Sequence, residues 1–139
     1  KLELKDSPID EYYKLSHELG IPQKNMNELQ NKLFGIECNF EELNGIDFQK
    51  GCYIGQENTA RIKLKNKLSK RLLPIDLIEG ELNQGDLIYN GEFEVGKVLI
   101  NNQYPFALIK YLDEHFVRGV VFKCKDAKLK IKKPDWIKE

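Results

Sequence analysis

The sequence predicts an α+β protein, in which a helical N-terminal part is followed by a small antiparallel β-domain. Apolar residues recur at helical spacing as far as Leu33, whereas after Leu68 they occur in short runs separated by turn residues. Several short strands at close spacing are typical of a small barrel or a sandwich. We therefore expect two parts, residues 1–67 and residues 68–139.

The first helix is predicted to begin near Ser7, because this capping residue precedes Pro8, and Asp10 follows three residues after the cap. Gly20 is expected to end the helix, since glycine readily adopts the left-handed conformation of a C-terminal cap. Four apolar side chains fall on one helical face: Ile9, Tyr12, Tyr13 and Leu19.

A second, shorter helix is predicted over residues 25–32, with three side chains facing inward: Met26, Leu29 and Leu33. Residues 34–48 show an irregular pattern. Residues 58–64 are compatible with a helix or a strand, and the sequence leaves that choice open.

Six runs after Leu68 are predicted to be strands: residues 72–78, 86–89, 93–100, 106–112, 117–124 and 128–132. Asn90-Gly91 predicts a hairpin turn, because both residue types tolerate a positive φ. Asn101-Asn102 predicts a second turn. In the last run lysines alternate with apolar residues, which indicates a strand with one solvated face.

Composition narrows the class of protein. The 22 basic and 22 acidic side chains balance, so there is no general attraction to nucleic acid or to an anionic membrane. No apolar run is long enough to cross a bilayer, so no membrane partner is expected. The three cysteines, Cys38, Cys52 and Cys124, lack paired spacing, and His17 and His115 are far apart. We therefore expect free thiols, no metal site and a cytoplasmic location.

Residues 50–57, K-G-C-Y-I-G-Q-E, form the most informative segment. Gly51 and Gly55 flank Cys52 and give the backbone the freedom that a ligand-binding loop needs. Lys50 lies two residues before Cys52, where a positive charge favours a reactive thiolate. The alternative is that Cys52 is a small buried apolar residue in a glycine turn.

The residues that follow add polar groups to this segment. Gln56 offers both a donor and an acceptor, and Glu57 offers a carboxylate. Arg61 lies four residues after Glu57, within pairing distance if the segment is helical.

With Ala60-Arg61, this segment resembles the YgfZ family signature, K-G-C-aromatic-x-G-Q-E-x-x-x-R, at every signature position. Residues 43–48 (L-N-G-I-D-F) and 70–74 (K-R-L-L-P) are similar to the family's segments on either side. Residues 18–22 (E-L-G-I-P) resemble its E-A-G-x-P segment, with leucine in place of the usual alanine. The resemblance covers roughly the whole chain and is weak after Ile75.

The YgfZ family is similar in fold to the T-protein of glycine cleavage, which has three domains around a hole that binds tetrahydrofolate. The resemblance implies a C-terminal fragment. Residues 1–67 would be a helical remnant of the folate-binding region, and residues 68–139 a small antiparallel β-barrel. The chain opens on an apparent strand at residues 2–4 without an initiator methionine. We therefore expect this fragment by itself to bind folate weakly or not at all.

The resemblance also implies a function: a tetrahydrofolate-binding accessory factor in iron–sulfur cluster assembly or repair, which indirectly supports tRNA thiomethylation. Its partners would be folate, iron–sulfur assembly proteins and client iron–sulfur enzymes. Glu18 matches the glutamate that holds the pterin ring in the T-protein, and its alternative role is a solvated acid at a helix end. The other implied site residues are the thiol of Cys52 and the folate-contacting Lys50, Gly51, Tyr53, Gly55, Gln56, Glu57 and Arg61.

Two other functions remain in view. The first is an aminomethyltransferase, the T-protein of glycine cleavage. Because it would share the fold, the fold leaves open whether this protein is an enzyme. The T-protein lacks the cysteine signature, which favours an accessory factor. A nucleic-acid-binding module would use the basic residues 63–71, but the zero net charge and missing aromatic ladder argue against direct RNA binding. His17 is interpreted as a polar helix residue rather than a base, and His115 as a loop residue.

Overall fold

The computed structural model describes residues 6–52, 54, 56–64 and 68–137, so the predicted strand at residues 2–4 lies outside the described residues. The helices are α1 (Ile9–Glu18), a short 3-10 helix (Met26–Leu29) and α2 (Gln56–Leu64). The strands are β1 (Arg71–Glu79), β2 (Leu87–Asn90), β3 (Phe93–Ile100), β4 (Phe106–Ile109), β5 (Phe122–Cys124) and β6 (Ala127–Ile131).

The six strands close into an antiparallel barrel in the order β1-β4-β3-β2-β5-β6. β1 is long enough to close it, since Arg71 pairs with Ile109 of β4 and Ile75 pairs with Ile131 of β6. Each of the six described strands is therefore paired on both sides. The predicted α+β class, with a small antiparallel barrel after the helices, is confirmed.

Alternate residues of β1, β4, β5 and β6 point into the barrel interior, as the two-residue period of a strand requires, whereas β3 contributes Val95 and Val98 and β2 contributes Ile88. The buried cluster consists of Leu73, Ile75, Leu82, Ile88, Val95, Val98, Ala107, Ile109, Phe122, Cys124, Ala127, Leu129 and Ile137. On β6 the lysines point to solvent and Leu129 points inward, which confirms the predicted solvated face.

Four strand predictions agree with the structure to within one residue at either end, and those for residues 106–112 and 117–124 are too long. Residues 110–121 instead form a loop that Asp113 organises. Its carboxylate accepts a hydrogen bond from the backbone N–H of His115 at 2.9 Å, and its carbonyl accepts one from the N–H of Phe116 at 3.0 Å. Such local bonds compete with strand pairing.

The hairpin between β2 and β3 turns one residue later than predicted. Asn90 still pairs with Phe93, and the turn residues are Gly91 and Glu92, with a positive φ of 62° at Gly91. The side chain of Asn90 donates instead to the carbonyl of His115 at 2.8 Å, so it fastens the 110–121 loop to the hairpin. The prediction for Asn101-Asn102 is correct in placing a loop there.

Helix α1 follows the prediction in extent but not in its cap or its buried face. Pro8 occupies the N-cap position without a side-chain hydrogen bond, so the predicted cap by Ser7 is wrong. Gly20, with φ of 73°, ends the helix as predicted. The helix buries Ser16 and His17, whereas its large apolar residues Ile9, Tyr12, Leu15 and Leu19 are exposed.

The second predicted helix is only a 3-10 turn, because Asn25 and Asn31 on either side of it have positive φ values of 59° and 60°. Leu29 is buried and Leu33 packs against the same cluster, but Met26 is exposed, so the inward prediction fails for Met26.

A second apolar cluster joins the helical part to the outer surface of the barrel. It consists of Leu29, Cys38, Leu72, Leu99, Ile100 and Phe106. Asn39 reinforces the junction, since its amide donates to the Leu72 carbonyl at 2.8 Å and its oxygen accepts from Arg71 at 2.9 Å. The division between residues 67 and 68 stays a prediction.

Candidate functional site

The signature cysteine lies in an exposed loop just before α2. Lys50, Gly51 and Cys52 are all exposed, and a Cβ built on Gly51 would meet nothing within 4 Å. The side chain of Ile54 is also fully exposed, at 104%. The predicted site residues Tyr53 and Gly55 lie outside the described residues. The loop therefore presents the Cys52 thiol to solvent, in the position that a binding or reactive role would require.

Helix α2 resolves the choice that the sequence left open for residues 58–64. It begins at Gln56, so Glu57 and Arg61 lie one turn apart, as the pairing argument assumed. Lys63 pairs with Glu41, and its ammonium lies 4.0 Å from the centre of the Phe48 ring. These contacts fasten α2 to the segment before it and border an open cavity of about 450 Å³.

Exposure separates Cys52 from the other two thiols. Cys38 and Cys124 are buried in the apolar clusters. Burial, with a smaller contribution from Glu37, raises the pKa of the Cys38 thiol to about 11. Burial also raises the pKa of Cys124. Cys52 is therefore the thiol that a reagent or a partner protein can reach, whereas its chemical role stays a prediction.

Glu18 lies on the wall of a groove between α1 and the barrel, with a volume of about 510 Å³. The groove is lined by Asp10, Lys14, His17, Glu18, Ile75, Asp76, Leu77, Leu82, Asn101, Asn102, Gln103, Tyr104, Pro105 and Lys132. The volume lies in the range of small-molecule sites. Glu18 lines this groove and is exposed.

His17 also lines the groove and is buried, at 7% exposure. Its Nε2 donates a hydrogen bond to the carbonyl of Pro105 at 3.0 Å, and its ring meets that of Phe106 edge-on at 5.2 Å. Burial lowers the pKa of His17 below its usual value. His17 thus lies in a helix, as the sequence indicated, but it is buried there and anchors α1 to the barrel.

Asn102 and Tyr104 also line this groove, and the sequence predicted no functional role for either. Oδ1 of Asn102 accepts the backbone N–H of Tyr104 at 2.6 Å. The Tyr104 hydroxyl donates to Asp10 at 2.8 Å, and burial together with Asp10 raises the pKa of Tyr104 to about 12. Nδ2 of Asn102 is buried and has no hydrogen-bond partner among the described residues.

The structure does not bring all of the predicted site residues together. The groove that contains Glu18 and the cavity beside α2 share no lining residue within the described part of the chain. Within that part, no cluster of three or more histidine, cysteine or acidic residues is arranged to hold a metal. The described helices are also too short or too polar to span a bilayer.

Fold and site together describe a small β-barrel protein with an exposed cysteine loop and a separate polar groove. No protein-family model matches the chain. It is similar to three proteins named as iron–sulfur cluster assembly factors of the IBA57 type, mitochondrial. In Dictyostelium discoideum the identity is 41% over 75 residues, which are 54% of this chain and 18% of that protein. In Neurospora crassa it is 40% over 68 residues, 49% of this chain and 16% of that protein. In Mus musculus it is 39% over 74 residues, 53% of this chain and 20% of that protein.

The similarity thus spans a fifth or less of each relative and about half of this chain. It supports the predicted connection with iron–sulfur cluster assembly factors, whereas membership of the YgfZ group in particular stays a prediction. The predicted cytoplasmic location is wrong, because the names of these relatives place them in mitochondria.

Proposed function

We propose that this chain is part of a tetrahydrofolate-binding accessory factor that serves iron–sulfur cluster assembly or repair in mitochondria. The observation that carries the proposal is the similarity to relatives named for iron–sulfur cluster assembly, at 41% identity for the Dictyostelium protein. The folate part of the proposal rests on the resemblance of the 50–57 signature and on the position of Glu18.

The groove residues fit a pterin ring in their chemistry. The carboxylate of Glu18 can accept two hydrogen bonds from an amino-pyrimidine edge. Leu77, which lines the groove and is 44% exposed, supplies apolar surface. Tetrahydrofolate, when bound, provides a carrier for one-carbon units. The chain's own residues bind and orient it.

Cys52 would act where a cluster, a client protein or a one-carbon adduct can reach it. Its exposed loop is compatible with transient cluster ligation, with a mixed disulfide or with attack on a one-carbon adduct. Lys50 and Arg61, which are both exposed, add positive charge to this surface. The proposed clients are iron–sulfur enzymes, including those that thiomethylate tRNA.

Complementation tests the main proposal. The full-length protein, expressed in cells that lack their own assembly factor of this type, should restore mitochondrial iron–sulfur enzyme activity and fractionate with mitochondria. Thiomethylated tRNA should recover in parallel if the thiomethylating enzymes are clients. Failure to restore any iron–sulfur enzyme, with the protein present at normal abundance, would contradict the proposal.

Calorimetry tests the folate part separately. We expect the full-length protein to bind tetrahydrofolate and residues 1–139 alone to bind it weakly or not at all. Equal affinity in the two would contradict the expectation that other parts of the folate cavity lie outside this chain. Absence of binding to the full-length protein would remove folate from the proposal.

A further inference from the structure

The groove that contains Glu18 runs along the length of α1. Four residues at the spacing of one helical face line it from the helix side: Asp10, Lys14, His17 and Glu18. From Asp10 to Glu18 the helix advances by about 12 Å, since each residue adds about 1.5 Å. The groove is therefore long enough for a ligand that extends beyond a pterin ring at Glu18.

Within the described part of the chain, the acidic and lysine side chains that line the groove have partners except at two positions of α1. On the barrel side, the ammonium of Lys132 pairs with Asp76 at 3.0 Å. Asp10 accepts a hydrogen bond from the tyrosine of the loop between β3 and β4 at 2.8 Å. Lys14 and Glu18 are exposed, and neither has a hydrogen bond or an ion pair with a described residue. They do not pair with each other, although a separation of four helical residues allows it.

These two positions complement a ligand with hydrogen-bond donors at one end and a negative charge further along. The proposed function assigns the donor edge of the pterin to Glu18. A reduced folate also carries a p-aminobenzoyl-glutamate tail, whose carboxylates are ionised at neutral pH. Lys14 lies one helical turn from Glu18 and offers three donors on a flexible stem. Lys14 is therefore the cation of the groove that is free to pair with such a tail.

We propose that Lys14 binds a carboxylate of the glutamate tail of the folate whose pterin ring contacts Glu18. The groove would then recognise glutamylated folates in preference to free pterins, with the ring at the C-terminal end of α1 and the tail towards its N-terminal end. This inference rests on the proposed folate function and on Glu18 as the pterin contact. It adds a second binding residue and fixes the direction in which the ligand lies.

The test compares tetrahydrofolate with 6-methyltetrahydropterin, which has the same pterin edge and lacks the tail. Calorimetry on the full-length protein measures both affinities, and their ratio is the preference for the tail. Lys14→Met removes the charge and keeps an unbranched side chain, so the preference should fall about fivefold, as expected for an exposed ion pair. Lys14→Arg keeps the charge and should retain most of the preference. Glu18→Gln should weaken the binding of both compounds by the same factor.

Lys130→Met is the matched control, because it makes the same change at an exposed lysine of β6 that does not line the groove. It should leave both affinities unchanged, and circular dichroism checks the fold of each variant. Salt provides a second measurement, on the wild type alone. Because salt screens an exposed ion pair, the preference for tetrahydrofolate should fall as sodium chloride is added, whereas binding of the uncharged pterin should change little.

The outcomes separate the two levels of the argument. If the full-length wild type binds neither compound, the proposed folate function fails. If it binds both compounds equally well, the inference about Lys14 is overturned while the pterin site stands. A folded Lys14→Met variant with the wild-type preference would overturn it as well. Should that variant fail to fold, a wild-type preference that does not change with salt would overturn the inference, and one that falls with salt would support it.

Discussion

Asn39 offers the sharpest test of how the helical part is joined to the barrel. It is 1% exposed, donates to the Leu72 carbonyl at 2.8 Å and accepts from Arg71 at 2.9 Å. Its φ of 62° lies in the left-handed region, which asparagine tolerates better than most residues. Asn39→Ala therefore removes two hydrogen bonds and adds backbone strain.

The expected loss of stability follows from these contacts. Leaving the buried Leu72 carbonyl without this donor costs about 1–3 kcal/mol. Holding alanine in the left-handed region costs about 1 kcal/mol more. Arg71 keeps its ion pair with Glu42 at 2.5 Å, so losing its hydrogen bond to Asn39 should cost little stability. We expect Asn39→Ala to lower the free energy of unfolding by about 2–4 kcal/mol.

Urea unfolding followed by circular dichroism measures this change. Two further variants separate the contribution of the hydrogen bonds from that of the backbone strain. Asn39→Gly loses the hydrogen bonds without the strain, so it should be about 1 kcal/mol more stable than Asn39→Ala. Asn39→Asp keeps the acceptor for Arg71 and loses only the donor. A glycine variant as stable as the wild type would refute the hydrogen-bond reasoning, and equal stability of the glycine and alanine variants would refute the strain.

Four further predictions concern Cys52, His17 and Glu18. Cys52 should react with iodoacetamide faster than Cys38 or Cys124, because those two are buried, and mass spectrometry of the timed reaction would detect the opposite order. Cys52→Ser should keep the melting temperature and abolish rescue of iron–sulfur enzymes, so full rescue by the stable variant would exclude thiol chemistry. Burial lowers the pKa of His17 from 6.5, so the unfolded chain binds its proton more readily, and stability should be lost as pH falls below 6.5. The free energy of unfolding should fall by up to about 1.4 kcal/mol per pH unit. The fall should be smaller in His17→Asn, which has no group that titrates at this position. Urea midpoints that depend on pH identically in the two proteins would contradict a role for His17. Glu18→Gln should cost about 1.5–3 kcal/mol of folate affinity in the full-length protein, whereas an unchanged dissociation constant would make Glu18 a surface acid.

The barrel could be predicted from the sequence because its signals are local. Alternation along β6 places one face inside, and a glycine marks the hairpin between β2 and β3. The ends of β4 and β5 could not be predicted in the same way. Residues 110–121 have strand-like composition, but hydrogen bonds to Asp113 draw them into a loop.

The buried face of α1 illustrates what periodicity misses. The apolar residues of this helix predicted a packing face, yet the helix buries Ser16 and His17 and exposes Ile9 and Leu15. A hydrogen bond from His17 to Pro105, 88 positions further along the chain, decides the orientation. No local pattern contains that contact.

By itself, the sequence determined the α+β class, the extent of most elements and the cysteine signature at residues 50–57, because these depend on neighbours along the chain. Only the tertiary structure decided that the Cys52 loop is exposed and that Glu18 and Asn102 share one groove. It also decided that the groove and the cysteine loop are separate. The exposure of a residue and the residues that share a cavity depend on which distant segments of the chain pack together. That packing is selected by the burial of apolar side chains from the whole chain, which local spacing does not contain.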